Sequence, residues 1–93
     1  MFDRVLRRFR EKIRRCDYVM TVHAEEETDD DGLAILDVES AVLTGRISKR
    51  QRDPRTREWK YVVVGASIDS DPVGVVCKLG PAGRLGILTT YRE

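Results

Sequence analysis

The pattern of apolar and polar positions has its main change of period near Gly45. Phe2, Leu6, Phe9 and Ile13 recur at steps of four, three and four, which places them on one stripe of a helix. Arg4, Arg7, Arg8, Glu11, Lys12 and Arg15 take its remaining faces. Such a helix either packs with a solvated basic side or presents its arginines to RNA, an acidic partner or a membrane surface. Asp17 to Val22 alternates weakly and is rich in β-formers, which predicts a short strand. His23 to Asp31 is polar and suits a short surface helix, which Gly32 breaks. Leu33, Leu36, Val38 and Val42 or Leu43 then mark a further helical period that ends at Gly45.

From Arg46 onward the period is two. Arg46 to Arg52 (RISKRQR) predicts a basic strand at a sheet edge, where charge discourages aggregation. Asp53-Pro54-Arg55-Thr56 has Asp at the first and Pro at the second position of a turn. Trp59 to Ala66 (WKYVVVGA) is apolar on both faces, as an inner strand should be. A turn at Asp69 to Pro72 leads to Val73–Leu79, with Val73, Val75, Cys77 and Leu79 on one face. Gly80-Pro81-Ala82-Gly83 turns the chain again into Arg84–Tyr91. Strict alternation there puts Leu85, Ile87, Thr89 and Tyr91 on one face, opposite Gly86, Leu88, Thr90 and Arg92. Short turns between successive strands impose antiparallel neighbours. The expected fold is therefore α+β: N-terminal helices packed on an antiparallel β-meander of four strands or more. The chain has 93 residues, the length of one domain. It divides into a basic helix (1–15), a short strand with helices (17–45) and the meander (46–92).

Composition adds one thing to this picture. Charged residues make up 35% of the chain, and the formal net charge of +1 says little because opposite charges occupy different segments. Arginines crowd the first fifteen residues, Glu25 to Asp31 forms an acidic block, and basic residues return from Arg46 to Arg57. That segregation points to partners more directly than the net charge does. Cys16 and Cys77 stand in no zinc or C-x-x-C spacing, and two buried reduced thiols are expected. No stretch approaches the roughly 18 apolar residues of a membrane span. The basic start lacks the apolar core of a signal peptide. By elimination, a cytoplasmic protein that does not engage a membrane is expected.

Three groups of residues invite a chemical reading. With Gly32 at loop position six, Glu27, Asp29 and Asp31 would take the first calcium-ligand positions, but Val38 then stands where a bidentate Glu is required. A solvated helix face accounts for the block, and no metal or cofactor is expected. His23, the single histidine, precedes Glu27 by four residues, one helical turn. It serves either to bond a helix terminus or, with one ring nitrogen free, to transfer a proton near neutral pH. Arg50, Lys60, Tyr61, Tyr91 and Arg92 supply cations and phenols on strands. They form either ordinary edge charge with half-buried tyrosines or a basic, aromatic surface for a phosphodiester backbone.

Several ordered segments carry a resemblance. His23-Ala24 follows the short strand, Gly32-Leu33 starts the next helix, and D-V-E-S-A-V-L-T-G-R-I leads into the basic strand. E-W-K-Y-V-V-V-G, V-G-V-V-C-K-L-G-P-A-G and I-L-T-T-Y follow. Over about residues 17–93 the chain resembles a large prokaryotic family of small proteins known as a domain of unknown function. That family is similar to RelE/ParE-type toxins, of the barnase–EndoU–colicin–RelE ribonuclease fold group. The resemblance implies helices packed on one face of an antiparallel sheet, with a cleft between His23 and the last strands. By motif position it singles out His23, Tyr61, Thr89 and Tyr91. Many relatives follow the histidine with an arginine–methionine pair, where this chain has Glu26, Glu27 and Thr28.

Two functions are thus expected from different classes. One is a metal-independent endoribonuclease of a toxin–antitoxin system, with RNA as substrate and a cognate antitoxin or other small protein as partner. In it His23 is base or acid, Tyr61 or Tyr91 positions the phosphate, and Arg50 or Arg92, with Thr89, holds substrate. The other is a non-catalytic protein- or RNA-interaction module that uses the segregated charges.

Overall fold

After Gly45 every element is a strand of the sheet, whereas before it one short strand stands among three helices. A computed structural model describes residues 2–93. The elements in chain order are α1 (Asp3–Arg14), β1 (Tyr18–Met20), α2 (Val22–Asp30), α3 (Ile35–Thr44), β2 (Arg46–Arg52), β3 (Trp59–Ala66), β4 (Pro72–Leu79) and β5 (Leu85–Arg92). This is the predicted α-β-α-α-β-β-β-β layout and an α+β fold. The strands form one sheet in the order β1-β5-β4-β3-β2. From β2 to β5 it is an antiparallel meander. The fifth strand, β1, joins in parallel, with Tyr18 opposite Leu85 and Met20 opposite Ile87.

All three helices share one face of the sheet. The stripe on α1 buries Leu6, Phe9 and Ile13, α3 buries Val38, Ala41 and Val42, and α2 contributes Ala24 and Thr28. They meet Val63, Val73, Val75, Cys77, Leu85 and Ile87 of the sheet in a single core. Each Val, Leu, Ile or Phe among them contributes about 1.5–3 kcal/mol on burial. Leu36, expected in the buried period of α3, is instead 57% exposed. Leu33 is buried just before α3, whose buried face is Val38, Ala41 and Val42; Leu36 stands two residues, about 200°, from Val38 and so turns to solvent.

The helix layer is docked on the sheet through backbone as well as side chains. A Cβ at Gly65 of β3 would lie 2.0 Å from the Ala41 carbonyl oxygen, and one at Gly45 would lie 2.5 Å from it. These glycines let the end of α3 rest directly on β3. There the Ser40 hydroxyl donates to Ala66 O at 2.8 Å, and Thr44 Oγ1 accepts from Ala66 N at 3.0 Å. Arg10, one of the arginines of α1, turns inward and donates to Val42 O and Gly45 O at 3.3 and 2.7 Å. It thereby satisfies carbonyls left open at the end of α3.

Two bulges alter the faces that strict alternation predicts. In β5 the register jumps from Ile87 opposite Cys77 to Thr89 opposite Val76, leaving Leu88 as the extra residue. Beyond it the phase is inverted. Thr90 and Arg92, not Thr89 and Tyr91, share the helix-covered face with Leu85 and Ile87. In β2 Ser48 is the extra residue, which brings Arg50 opposite Tyr61 and Arg52 opposite Trp59. A further correction concerns the thiols. Cys77 is buried as expected, but Cys16 is exposed, in a left-handed turn (φ 55°) just after α1.

Candidate functional site

The sequence-predicted residues fall into three places. The first is the join of α2 and β5. β1 pairs with β5 only as far as Ile87, so the rest of that edge lacks a strand partner. Side chains of α2 and its flanks replace it. The Thr21 hydroxyl donates to Leu88 O at 3.2 Å while its oxygen caps α2 by accepting from Ala24 N at 3.0 Å. Glu27 accepts from Thr90 N at 3.2 Å and Asp31 from Arg92 N at 3.0 Å. Beneath them the buried hydroxyls of Thr28 and Thr90 pair at 2.8 Å, and Thr28 also donates to Ala24 O at 2.7 Å. The acidic block is thus more than a solvated face: two of its carboxylates finish the edge of the sheet.

His23 stands on the outer side of this join, 70% exposed, with Nε2 3.4 Å from Glu27 Oε1. Arg92 is built into the join. Its guanidinium donates to Asp31 O at 3.2 and 3.0 Å and to Asp71 Oδ2 at 2.8 Å. Those bonds occupy the group expected to hold substrate. Thr90, which α2 meets, was missed by residue alternation. Its one signal was the apolar pair Ile87-Leu88, which interrupts the alternation just before the two threonines.

The second place is the face of the sheet without helices. Tyr91 lies opposite Gly74, where a Cβ would come within 2.1 Å of its ring. Thr89 shares that face, opposite Val76. Burial, reinforced by Glu93, raises the Tyr91 pKa and keeps the phenol protonated at neutral pH. Tyr61 and Tyr91 therefore lie on opposite faces, and the expected cleft in which both face His23 is not formed. The bulge at Leu88 is the physical reason.

The third place does gather candidates. Tyr61 is on the helix-covered face, its ring edge-on to Phe9 at 5.5 Å and to Phe2 at 5.8 Å. Arg50 stacks on Trp59 with its guanidinium carbon 4.1 Å from the ring centre, and it also reaches Phe2 at 5.6 Å. Arg52 approaches the same indole at 5.0 Å. Beside this stack is a shallow hollow of about 300 Å³ lined by Val5, Arg8, Arg57, Trp59, Tyr61 and Leu79, together with Glu58. Glu58 is itself paired with Lys78 at 3.4 Å. Lys12, Arg15, Arg84 and Arg92 also have carboxylate partners. Among the described residues, no cation of β2 or of the loop after it has one. Within that loop Asp53 turns inward and accepts from Arg55 N at 2.9 Å, which holds its carboxyl below the usual range. Arg8, Arg50, Arg52 and Arg57, without carboxylate partners among the described residues, thus surround an exposed tryptophan, Arg52 Nε donating instead to Arg57 O at 3.0 Å.

Among the described residues no cluster of three or more His, Cys, Asp or Glu side chains is arranged to hold a metal ion. Nor is any helix long and apolar enough to cross a membrane. Residues 20–92 match the family described as a domain of unknown function (DUF4258), and the chain belongs to that family. Comparison with curated proteins and with solved structures returned no match.

Proposed function

We propose that this DUF4258 domain binds single-stranded RNA along its β2–β3 edge. The observation that carries this reading is the Arg50–Trp59–Arg52 stack, set among cations that have no carboxylate partners. An indole offers a π-face to any base, while arginines neutralise successive phosphates. The Tyr61 phenol and Arg8 border the adjoining hollow, which is open enough to admit a phosphate. Binding of this kind is sequence-tolerant and steeply dependent on salt.

Fluorescence anisotropy with a labelled oligouridine tests the reading. Trp59→Ala is expected to weaken binding by about 1–3 kcal/mol, the scale of one base stack. The double variant Arg50→Ala, Arg52→Ala should lower the slope of log K against log salt by about 1.4 in magnitude, two phosphate contacts at 0.7 each. Binding that is indifferent to salt, or unchanged in both variants, would rule it out.

A second reading adds cleavage: a metal-independent endoribonuclease like the RelE/ParE-type toxins. It is favoured by the solvent-open His23 imidazole within 3.4 Å of Glu27. There His23 would take the ribose 2′-hydroxyl proton, with phosphate drawn from the basic edge. Tyr61 and Tyr91 do not act together in this scheme, being on opposite faces. Equal cutting of RNA by wild type and His23→Ala would remove His23 from it; loss of cutting with oligouridine binding retained would support it.

A further inference from the structure

The opposite edge of the sheet has the opposite character. β1 is a terminal strand, so one of its sides has no strand beside it. Asp17 O accepts from Leu85 N at 3.2 Å and Thr21 N donates to Ile87 O at 3.0 Å, so both face β5. Alternation then turns the N–H and C=O groups of Tyr18 and Met20 toward the open side. On the helix side of this edge lie two adjoining hollows of about 270 and 260 Å³. Both are lined by Met20, Glu25 and Ile35; Tyr18 extends the first, and Leu33 and Asp29 extend the second. No lysine or arginine lines either one. On the other face of the same strand Val19 is 49% exposed.

We infer that β1 accepts an additional strand from a partner protein, an extended segment in which basic and apolar side chains alternate. Its backbone bonds to the Tyr18 and Met20 amide and carbonyl groups and continues the sheet. Its inward lysines or arginines lay their alkyl stems over Met20 and Ile35 and bring their charges to Glu25 and Asp29. Its outward apolar side chains cover Val19. Charge complementarity selects this occupant over a β1–β1 pair of two copies. Pairing two β1 strands would bring the Glu25 and Asp29 carboxylates of both copies to one seam, where like charges repel. This site is independent of the RNA reading, since the two lie at opposite edges of the sheet.

The experiment uses a short peptide of alternating lysine and valine, with an alternating glutamate–valine peptide as control, and follows calorimetry together with backbone amide exchange. The lysine peptide is expected to bind and to slow exchange at Tyr18 and Met20. Glu25→Lys, at an exposed position that leaves the core intact, should weaken it by about tenfold or more. Arg50→Ala should leave it unchanged. Equal binding of the glutamate peptide, indifference to Glu25→Lys, or protection confined to β2 would overturn the proposal. So would a dimer of the free protein in which the Tyr18 and Met20 amides are already protected.

Discussion

At Gly65 there is no room for a methyl group. Its Cβ would meet backbone atoms on two sides, Ala41 O at 2.0 Å and Gly45 Cα at 2.8 Å, and neither can swing away as a side chain could. Gly65→Ala is expected to cost about 3 kcal/mol, at the upper end of overpacking, measured as a lower urea midpoint at unchanged slope. Gly32 provides the contrast, because its Cβ would meet nothing within 4 Å and only its φ of +68° resists substitution. Gly32→Ala should therefore cost about 1 kcal/mol. If the two variants prove equal, the close docking of α3 on β3 is wrong. The cysteines give a second test at this scale. Burial pushes the Cys77 thiol up to about 12, whereas Cys16 is exposed. A thiol reagent should label one cysteine per native chain quickly and both after denaturation, and Cys16→Ser should abolish the fast phase. Single residues were also where the sequence was least legible. Nothing in a period of two says which position will bulge, and the slip at Leu88 moved Thr89 and Tyr91 away from α2 and put Thr90 there.

The elements were legible because each period is long enough to repeat. The stripe on α1, the largely apolar β3 and the turn at Pro54 all lie where their patterns place them. β1 was legible as a strand but not in its pairing. Three residues that join a strand more than sixty positions later, in parallel, leave no local pattern to read. The acidic block was legible only as charge, since the carboxylate bonds to Thr90 N and Arg92 N depend on that same distant pairing. They make a prediction of their own. Glu27→Ala should speed exchange of the Thr90 amide and cost about 1 kcal/mol, a charged hydrogen bond discounted for partial exposure. Glu27→Gln, which keeps an acceptor, should recover most of the protection.

Acid should loosen the ends of these elements before their middles. The Asp37 carboxylate is held below its usual range because it accepts from the Ala34 and Ile68 amides at 2.8 and 3.1 Å. Asp17 is lowered in the same direction, first by its hydrogen bond from Lys12. A carboxylate more acidic in the folded than in the unfolded chain adds stability above the unfolded value. That stability is lost as pH falls through the folded value. Urea midpoints should therefore drop between about pH 5 and about pH 2. Asp37→Asn should flatten that dependence, and an unchanged slope would show that the α3 cap is not among its causes.

For the whole molecule, the net charge of +1 is the least informative description of its field. The sheet order puts the acidic α2, packed along β5, and the basic β2 three strand spacings apart, about 14 Å. The Debye length is about 8 Å at physiological ionic strength and about 30 Å at 0.01 M. At physiological salt each edge therefore acts on a partner as if the other were absent. At low salt they oppose one another. Neutralising Asp29 and Asp30 with asparagine should consequently leave oligouridine affinity nearly unchanged near 0.15 M salt, while raising it several-fold near 0.01 M. Charge reversal at Arg50 and Arg52 should weaken binding at both. If the asparagine variant gains as much at physiological salt as at low salt, RNA is reaching α2 itself, and the two edges do not divide the work as their separation implies.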